Sequence, residues 1–527
     1  MESGKIRRDE PRTFVITGAT DGIGLALARR LQTSCDRLVL VGRRPPEVLR
    51  DAGFEDALYC QVDLAQPTCA ETVEAFLEQH GVNAVHRLIH NAGVGYFGDI
   101  QDQFAESITE LLQTNIQAPI ELTWTLLPWL ERGRGQVCFV SSVAAALPMA
   151  QYAVYVATKA ALEGFARNLR IESSGRLRVQ VVRPGATRTG MHAKAGMSQA
   201  DTNWERFAPA ERVAAHIERA LAASKKTVTL GAGNKVVSMA GQAFPGIIEA
   251  GMRRRREPPP AIERAQEARP RCFITGAADG IGRAMALRFA GAGYDIVAVD
   301  NDPVKSATTA DEIQQAGAKA EFYTEDLSDP AATERAVEAA RAGGPVDLVV
   351  HNAGINAVGR FDVLPLEDQK AVIAVNLQAP LLLTAGLLQA GLLHQDARFV
   401  FMASLSCYVG YPGAAAYAAS KDGLAAYARA LSVALGPRRR VLTVFPGPVR
   451  TAHAERYSPD NSRADRRMPP ETLAAFVDEA LARNKRVLIP GGGNRAVARL
   501  ARIWPAPFEL LMRRAILDKL DPGDTAA

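Results

Sequence analysis

The sequence predicts an α/β chain made of two doubly wound, parallel-sheet domains in tandem. Three observations lead there: β-branched runs alternating with helical stretches, a glycine-rich turn after the first run of each half, and a steady internal offset. TGATDGIG at Thr17–Gly24 returns as TGAADGIG at Thr275–Gly282. Gly18 and Gly276 lie 258 positions apart, the two HNAG segments (His90–Gly93, His351–Gly354) 261, and the Tyr155/Lys159 and Tyr417/Lys421 pairs 262. Pro184–Thr189 and Pro446–Thr451 are also 262 apart, and the tails (GAGNK and GGGNR, FPGIIEAGMRR and WPAPFELLMRR) 260. Such constancy means duplication of a whole domain, too long to be a solenoid repeat.

The first domain is expected over 1–256, a linker over 257–270 and the second domain over 271–527. Around the junction, RRRREPPPAIERAQEARP (Arg253–Pro270) is charged and holds three consecutive prolines, the composition of a semi-rigid spacer. In each half a short strand (Phe14–Thr17; Phe273–Thr275) meets the glycine turn and then a helical stretch. A second strand follows (Leu38–Val41; Ile296–Val299), and continued alternation implies βαβ units with helices on both faces of a parallel sheet.

Composition narrows the function classes. Hydrophobic residues make up 47% and charged residues 23%, enough apolar material for ordinary cores. A net charge of +5 over 527 residues is too weak to argue for nucleic acid, and the local clusters Arg253–Arg256 and Arg438–Arg440 read as solvated faces or linker. Six cysteines without a CxxC pair predict reduced thiols and a cytoplasmic protein. MESGKIRRDEPR lacks the apolar core of a signal peptide. Ala371–Leu393 is 23 residues without a charge, long enough for a membrane span. Asn376, two glutamines, Pro380 and two glycines within it favour a buried helix, so no transmembrane segment is expected.

The glycine spacing GxxxGxG gives Gly18, Gly22, Ile23 and Gly24 in the first half and Gly276, Gly280, Ile281 and Gly282 in the second. Bare backbone there lets the chain turn tightly and approach a pyrophosphate, and the following helix offers unpaired N–H groups to the anion. Alone the motif is weak; directly after a strand and before a helix, twice, it reads as the dinucleotide turn of a Rossmann domain. The end of the second strand should then meet the adenosine ribose. The second half closes with VAVDN, and Asp300 can accept ribose hydroxyls but repels a 2′-phosphate, favouring NAD(H). The first half reads VLVGRR, with Gly42 where the acid would be and Arg43 and Arg44 behind it. A guanidinium pairs well with a 2′-phosphate, favouring NADP(H).

After the fifth strand of each half come a serine, a tyrosine thirteen residues on, and a lysine four beyond: Ser142, Tyr155 and Lys159, then Ser404, Tyr417 and Lys421. A spacing of four places Tyr and Lys on one helix face. The ammonium favours tyrosinate, so the phenol can give or take an alcohol's proton while hydride moves, and serine holds the substrate oxygen. A lone YxxxK is usually structural; the full spacing, twice, after a dinucleotide turn, is not.

Both halves resemble short-chain dehydrogenases/reductases, from about Pro11 to Met252 and from about Pro270 to Asp521. The resemblance implies that Asn91, Ala92 and Gly93, with Asn352, Ala353 and Gly354, lie beside the adenine side of the cofactor. Asp63 and Asp326 would contact the adenine ring. Asn115 and Asn376, each in N-[IL]-Q-A-P, match the family's fourth catalytic residue, which holds a helix kink and a water path to lysine. Pro184, Gly185 and Thr189, with Pro446, Gly447 and Thr451, match the segment near the nicotinamide. His90 and His351 depart from the commoner asparagine and read as packing residues, since no metal-type cluster surrounds them.

The variable segments Gly190–Phe207 and Ala452–Met468 should close over substrate. Met191 and Met197 suggest an apolar wall in the first, while Arg456, Arg463, Arg466 and Arg467 in the second read as exposed lid residues. With the mostly small or apolar loops between Ser and Tyr, these predict a moderately hydrophobic secondary alcohol or ketone. The basic-ended tails (Gly231–Arg256, Gly491–Arg514) suit packing on a domain more than contact with a membrane. The resemblance also implies pairing through the helices bearing Asn115 and Tyr155, hence an internal pseudo-dimer and room for a homo-oligomer. The expected function is a bifunctional NAD(P)-dependent oxidoreductase, with oxidation and re-reduction coupled across the two cofactors. Two consecutive steps in one direction, one active half beside a structural one, and a non-catalytic NAD(P)-sensing scaffold are the alternatives.

Overall fold

The computed structural model describes residues 11–198, 203–253, 269–458 and 460–520. The N-terminal stretch 1–10, residues 254–268 of the expected junction, and residues 521–527 lie outside the described residues, as do 199–202 and 459 in the two variable segments.

Two seven-stranded sheets are present, and their strands pair in parallel throughout the described residues. The first contains β1 (Thr13–Thr17), β2 (Arg37–Gly42), β3 (Leu58–Gln61), β4 (Arg87–His90), β5 (Gln136–Val140), β6 (Arg178–Arg183) and β7 (Thr227–Thr229), in the order β3-β2-β1-β4-β5-β6-β7. The second contains β8 (Arg271–Thr275), β9 (Asp295–Asp300), β10 (Ala320–Thr324), β11 (Val346–His351), β12 (Leu393–Met402), β13 (Arg440–Val444) and β14 (Val487–Leu488), in the corresponding order. The order reverses between β1 and β4 and between β8 and β11. That is where a doubly wound sheet opens a crevice at the carboxyl ends of its strands. Both faces are covered, so the strands read as nearly unbroken apolar runs; β1 and β8 are buried at all five positions.

The glycine turns start helices. Gly22–Leu31 begins under an Asp21 cap that accepts from Gly22 N at 2.7 Å, and Gly280–Gly291 under Asp279, which accepts from Gly280 N at 2.6 Å. Leu27 and Leu31 join Ile16, Leu40, Ile89 and Cys138 in the first core; Met285 and Phe289 join Ile274, Val350 and Val444 in the second. Ile23 and Ile281 pack against these cores from the turns.

The chain divides into two compact units. The first takes in the described residues of 1–97, 110–143 and 173–238, and the second those of 98–109, 144–172 and 239–527. The helix Ala153–Glu172, from the first repeat, therefore belongs to the second unit, where it packs along its counterpart Ala415–Ala434. Gly423 seats against Ala157 O at that crossing.

The uncharged stretch expected as one buried helix lies mostly in one, Leu366–Gln389, which a π-turn interrupts. Leu366–Ile373 and Ala379–Gln389 flank a one-turn π-helix, Ala374–Gln378, and Leu393 already begins β12. The most apolar part of Leu366–Gln389 is 83% buried, as a core helix is. Each tail forms a pair of helices broken before a proline: Ala232–Ala243 with Pro245–Arg253, and Gly492–Ile503 with Pro505–Ala515. Glu249 is buried and accepts from Ser432 Oγ at 2.6 Å, and Arg253 donates to Pro437 O at 2.8 Å. Phe244, Ile247, Ile503 and Trp504 on the same tails are more than half exposed.

Candidate active sites

The two glycine turns are built alike. Gly18 and Gly276 take φ of +65° and +66°, and a side chain on Gly18 would stand 2.7 Å from Ala92 Cα. One on Gly24 would run into the Gly18 carbonyl oxygen, and Gly282 repeats that relation with Gly276. Asn91 Nδ2 donates to the carbonyls of Thr17 and Gly18 at 3.0 and 3.1 Å, and Asn352 does the same to Thr275 and Gly276 at 3.2 and 2.9 Å. These amides lock the turn. What remains is uncrowded backbone at a capped helix N-terminus, which fits the pyrophosphate of a dinucleotide. In the first unit a cleft of about 550 Å³ opens beside Gly22 and Thr189, with Arg29, Arg188 and Trp204 in its wall.

The strand ends differ between repeats. Asp300 closes β9 and accepts from Ala278 N at 2.8 Å and Asp302 N at 3.1 Å, which points its carboxylate back over the glycine turn. At the matching Gly42 a side chain would meet Thr20 Cγ2 at 2.9 Å, so the space an acid would need is filled. Two arginines follow. Arg44 pairs with Asp21 at 2.8 Å, and Arg43 Nη1 lies 3.4 Å from Asp63 and 3.3 Å from Glu110. All of these are at least one-third exposed, so the pairs hold the guanidiniums loosely. Asp63 Oδ1 accepts from Ala65 N and Asp326 Oδ1 from Ser328 N, each shaping a turn.

The second repeat's four candidates come together in the second unit. Asn376 sits fully buried in the middle of the π-turn, its Oδ1 accepting from Ile355 N at 2.8 Å and its Nδ2 donating to Ile355 O at 2.9 Å and Ser420 Oγ at 3.1 Å. An extra residue in the turn directs this side chain at Ile355, in the loop after β11, rather than along the helix. Asn376 Oδ1 and Lys421 Nζ lie 3.2 and 3.3 Å from where a side chain on Gly354 would begin. Lys421 Nζ donates to Met402 O at 3.0 Å and stands 5.7 Å from the Tyr417 ring centre. Burial draws its ammonium down to about 8. Burial pushes the Tyr417 phenol up, against a hydrogen bond from Ser404 that favours its anion.

In the first repeat, Asn115 and Ser142 belong to the first unit, Tyr155 and Lys159 to the second. Asn115, again central in a one-turn π-helix (Gln113–Gln117), exchanges hydrogen bonds of 2.9 Å with both backbone groups of Val94, next to Gly93. Lys159 Nζ lies 5.7 Å from the Tyr155 ring centre, and burial brings it to about 8 as well. Pro184 O and Pro446 O accept from Val143 N and Leu405 N at 2.9 Å, tying each proline-glycine segment to the loop after the candidate serine. Thr451 caps the helix Ala452–Tyr457, accepting from Ala454 N at 3.1 Å; Thr189 precedes Gly190–Lys194.

The sequence profile of the short chain dehydrogenase family matches residues 12–200 and 271–462. The chain belongs to that family. It is 36% identical over 231 residues to 1-deoxy-11-beta-hydroxypentalenate dehydrogenase of Streptomyces exfoliatus, covering 42% of this chain and 83% of that protein. It is 34% identical over 199 residues to human dehydrogenase/reductase SDR family member 4, covering 36% of this chain and 70% of that one. A solved N-terminal ketoreductase from a macrolactin assembly line shares the fold at a TM-score of 0.59 and 13% identity, over 93% of this chain and 88% of its own. The chain is thus an NAD(P)-binding short-chain dehydrogenase/reductase, an oxidoreductase in tandem form.

Several residues near the sites of this dehydrogenase carry no sequence motif. The second repeat's serine–tyrosine loop is not simply small and apolar: Tyr411 meets Tyr417 edge to face at 5.9 Å, with its hydroxyl toward Asn356 and, at 3.4 Å, Tyr457 O. Met149 stands at the matching place in the first repeat. There the variable segment gathers His192, Trp204 and Phe207 within 5.9 Å of one another, besides the half-buried Met191 and Met197. Asn234 and Asn494, noticed only as repeat landmarks, lay their amides over Gly185 and Gly447. In the second variable segment Arg456, Arg463 and Arg466 are exposed, while Arg467 donates to Asn461 Oδ1 at 2.6 Å. His90 and His351 are buried, bonded to Thr123 and Thr384 at 2.9 Å, stacked on Phe139 and Phe401, and held neutral by burial at about 3. No cluster of three or more metal-type side chains occurs among the described residues.

Proposed function

We propose that residues 1–256 and 271–527 are two working domains of one bifunctional oxidoreductase, acting on a moderately hydrophobic secondary alcohol or ketone. The first domain takes NADP(H) through Arg43 and Arg44, and the second takes NAD(H) through Asp300. The observation behind this reading is the pair of strand ends: a carboxylate aimed over one glycine turn, and an arginine pair beside a blocked glycine at the other.

The bound nicotinamide supplies or takes up the hydride. The chain's own groups hold the substrate and move the proton. Ser404 fixes the reacting oxygen and Tyr417 exchanges a proton with it. Lys421 holds charge beneath the phenol, and Asn376 anchors the end of the relay at Ile355. Ser142, Tyr155, Lys159 and Asn115 play the same parts in the first domain. Neither set lacks a member, which supports two active sites over one active and one structural half, or a sensing scaffold. In the coupled cycle the second site oxidises a hydroxyl and the first returns a ketone to a hydroxyl. Return from the opposite face gives epimerisation; return at another carbon gives isomerisation. Six unpaired cysteines support a reducing, cytoplasmic setting, and the packing of Ala153–Glu172 along Ala415–Ala434 supports an internal pseudo-dimer.

The test is fluorescence titration of the full chain and its Tyr155→Phe and Tyr417→Phe variants with NADH and NADPH, then reduction of cyclohexanone and acetophenone with each. The expected result is NADH-linked turnover lost only in Tyr417→Phe and NADPH-linked turnover lost only in Tyr155→Phe. One cofactor serving both sites overturns the coupling and leaves two successive steps in one direction.

A further inference from the structure

We infer that the first repeat's helix Ala153–Glu172 supplies positioning residues for the second repeat's active site: Asn168 and Glu172 strap the two loops that wall its substrate side. The inference rests on the reading of Ser404, Tyr417 and Lys421 as the second catalytic set. It concerns residues within the second compact unit only.

The helix runs three turns past Lys159, and its last turns are more polar than their depth suggests. Asn168 is fully buried and Glu172 is 6% exposed. An uncompensated carboxylate at that depth is costly, so its partners matter. Glu172 Oε1 accepts from Gly413 N at 2.8 Å and its Oε2 from Phe361 N at 3.1 Å. Asn168 donates to Gly164 O at 2.8 Å, which orients the amide, and its Oδ1 accepts from Tyr411 N at 2.6 Å. Arg167 adds a third tie, donating to the carbonyls of Ser406 and Cys407 at 3.3 and 3.1 Å and to Asp422, next to Lys421, at 2.7 Å.

Apart from Asp422, on the helix Ala415–Ala434, every recipient belongs to one of two loops. Phe361 lies in the segment after Asn352-Ala353-Gly354; it also meets Phe165 edge to face at 5.4 Å. Ser406, Cys407, Tyr411 and Gly413 lie between Ser404 and Tyr417, and Gly413 takes φ of +83°. Loops of this kind spend backbone groups on turns that leave some N–H donors unmatched. Here one carboxylate and one amide, from a helix about 190 to 240 residues earlier in sequence, satisfy three of them. The strap ends one residue from the wall itself: Tyr411, held by its N–H, places its ring against Tyr417 and its hydroxyl toward Asn356 and Tyr457.

The Asn168 and Glu172 ties are not reciprocal. The positions on Ala415–Ala434 that match Asn168 and Glu172 are Ala430 and Ala434, which have no side-chain acceptor. Ala434 and Val433 instead make a small apolar contact with Ala150 of the first repeat's loop. Only the second site's loops receive polar straps at these positions.

The test uses the full chain carrying Tyr155→Phe, so that turnover reports the second site, with Glu172→Gln, Asn168→Leu and Asn168→Asp added singly. Hydrogen exchange is followed in peptides covering 355–364 and 405–416, alongside the NADH Kd and kcat and KM for cyclohexanone. Loss of one buried acceptor should speed exchange in the strapped loop by about tenfold and raise KM three- to tenfold, with the NADH Kd within about twofold. Asn168→Asp keeps the acceptor for Tyr411 N but loses the donor to Gly164 O, and should fall between Asn168→Leu and the parent in both readouts. Unchanged exchange in Glu172→Gln and Asn168→Leu overturns the inference, as does a loss confined to kcat or to NADH affinity. Should Glu172→Gln loosen the whole unit, Asn168→Leu against Asn168→Asp decides alone. If no ketone is reduced by any form but the loops still loosen selectively, the straps stand and the catalytic reading fails.

Discussion

The two ribose-side strand ends, Gly42-Arg43-Arg44 and Asp300, share a backbone and differ in what a cofactor would meet there. β2 and β9 pair in the same way with β1 and β8, and both end above a turn of the same shape. Thr20 and Tyr59 close the space over Gly42, Tyr59 donating to Gly42 O at 2.8 Å, while Asp300 is braced by two backbone N–H groups. Duplication preserved the frame that positions a pyrophosphate and left the ribose corner free to diverge. Shape is set by strand and turn; under the proposed assignment, preference would be set by one or two side chains at the rim.

The largest effect that can break the comparison is loss of a single phenol. Tyr417→Phe is expected to cut second-site turnover about 10³-fold while leaving first-site turnover within about twofold, since a positioned proton donor contributes at that scale. Tyr155→Phe should give the mirror result, and steady-state rates with each cofactor check both. Next comes the corner itself. Asp300→Ala should weaken NADH binding about tenfold or more and Arg43→Ala should weaken NADPH binding similarly, as loss of a charged hydrogen bond does; fluorescence titration of the full chain reads both. Equal losses for both cofactors in either variant would reduce the contrast to ordinary surface chemistry.

A pH profile sharpens what the repeats share. Burial brings Lys159 and Lys421 to about 8 and pushes Tyr417 upward, so the first proton to leave the Tyr417–Lys421 pair on raising pH leaves near 8. Oxidation needs that vacancy and reduction needs the loaded pair. Alcohol oxidation at the second site should therefore rise through about pH 8 and ketone reduction fall above it, at up to about tenfold per unit. The smallest expected effect is also the most symmetric. Thr123→Val and Thr384→Val each remove the hydroxyl partner of a buried neutral histidine and should cost about 1 kcal/mol, equal in the two repeats, by denaturant unfolding.

Most of the frame was legible because it depends on local pattern. Strand–glycine–helix order gave both sheets, and Ser, Tyr and Lys at fixed spacing led to groups that the second unit brings together, Ser404 bonded to Tyr417 and Lys421 below the Tyr417 ring. The uncharged run over Ala371–Leu393 was read as a helix and is one as far as Gln389, but periodicity does not register one inserted residue, and the π-turn at Asn376 is such an insertion. Tyr411, Asn234 and Asn494 had no motif to mark them, since their partners are set by how loops close. Asn168 and Glu172 were the least legible. They are ordinary polar residues on a helix whose partners lie in another repeat, and nothing in their neighbours announces a buried carboxylate with two backbone donors.

Glu172 also bears on how such a fusion persists. A shared helix that only packed could be replaced by any matching surface, and the two repeats could drift apart again. Once a buried carboxylate on the first repeat satisfies backbone N–H groups in the second, separating them strands an acceptor on one side and two donors on the other. The join then acts as a ratchet: each polar tie across Ala153–Glu172 makes return to two independent proteins harder, whatever becomes of the covalent linker.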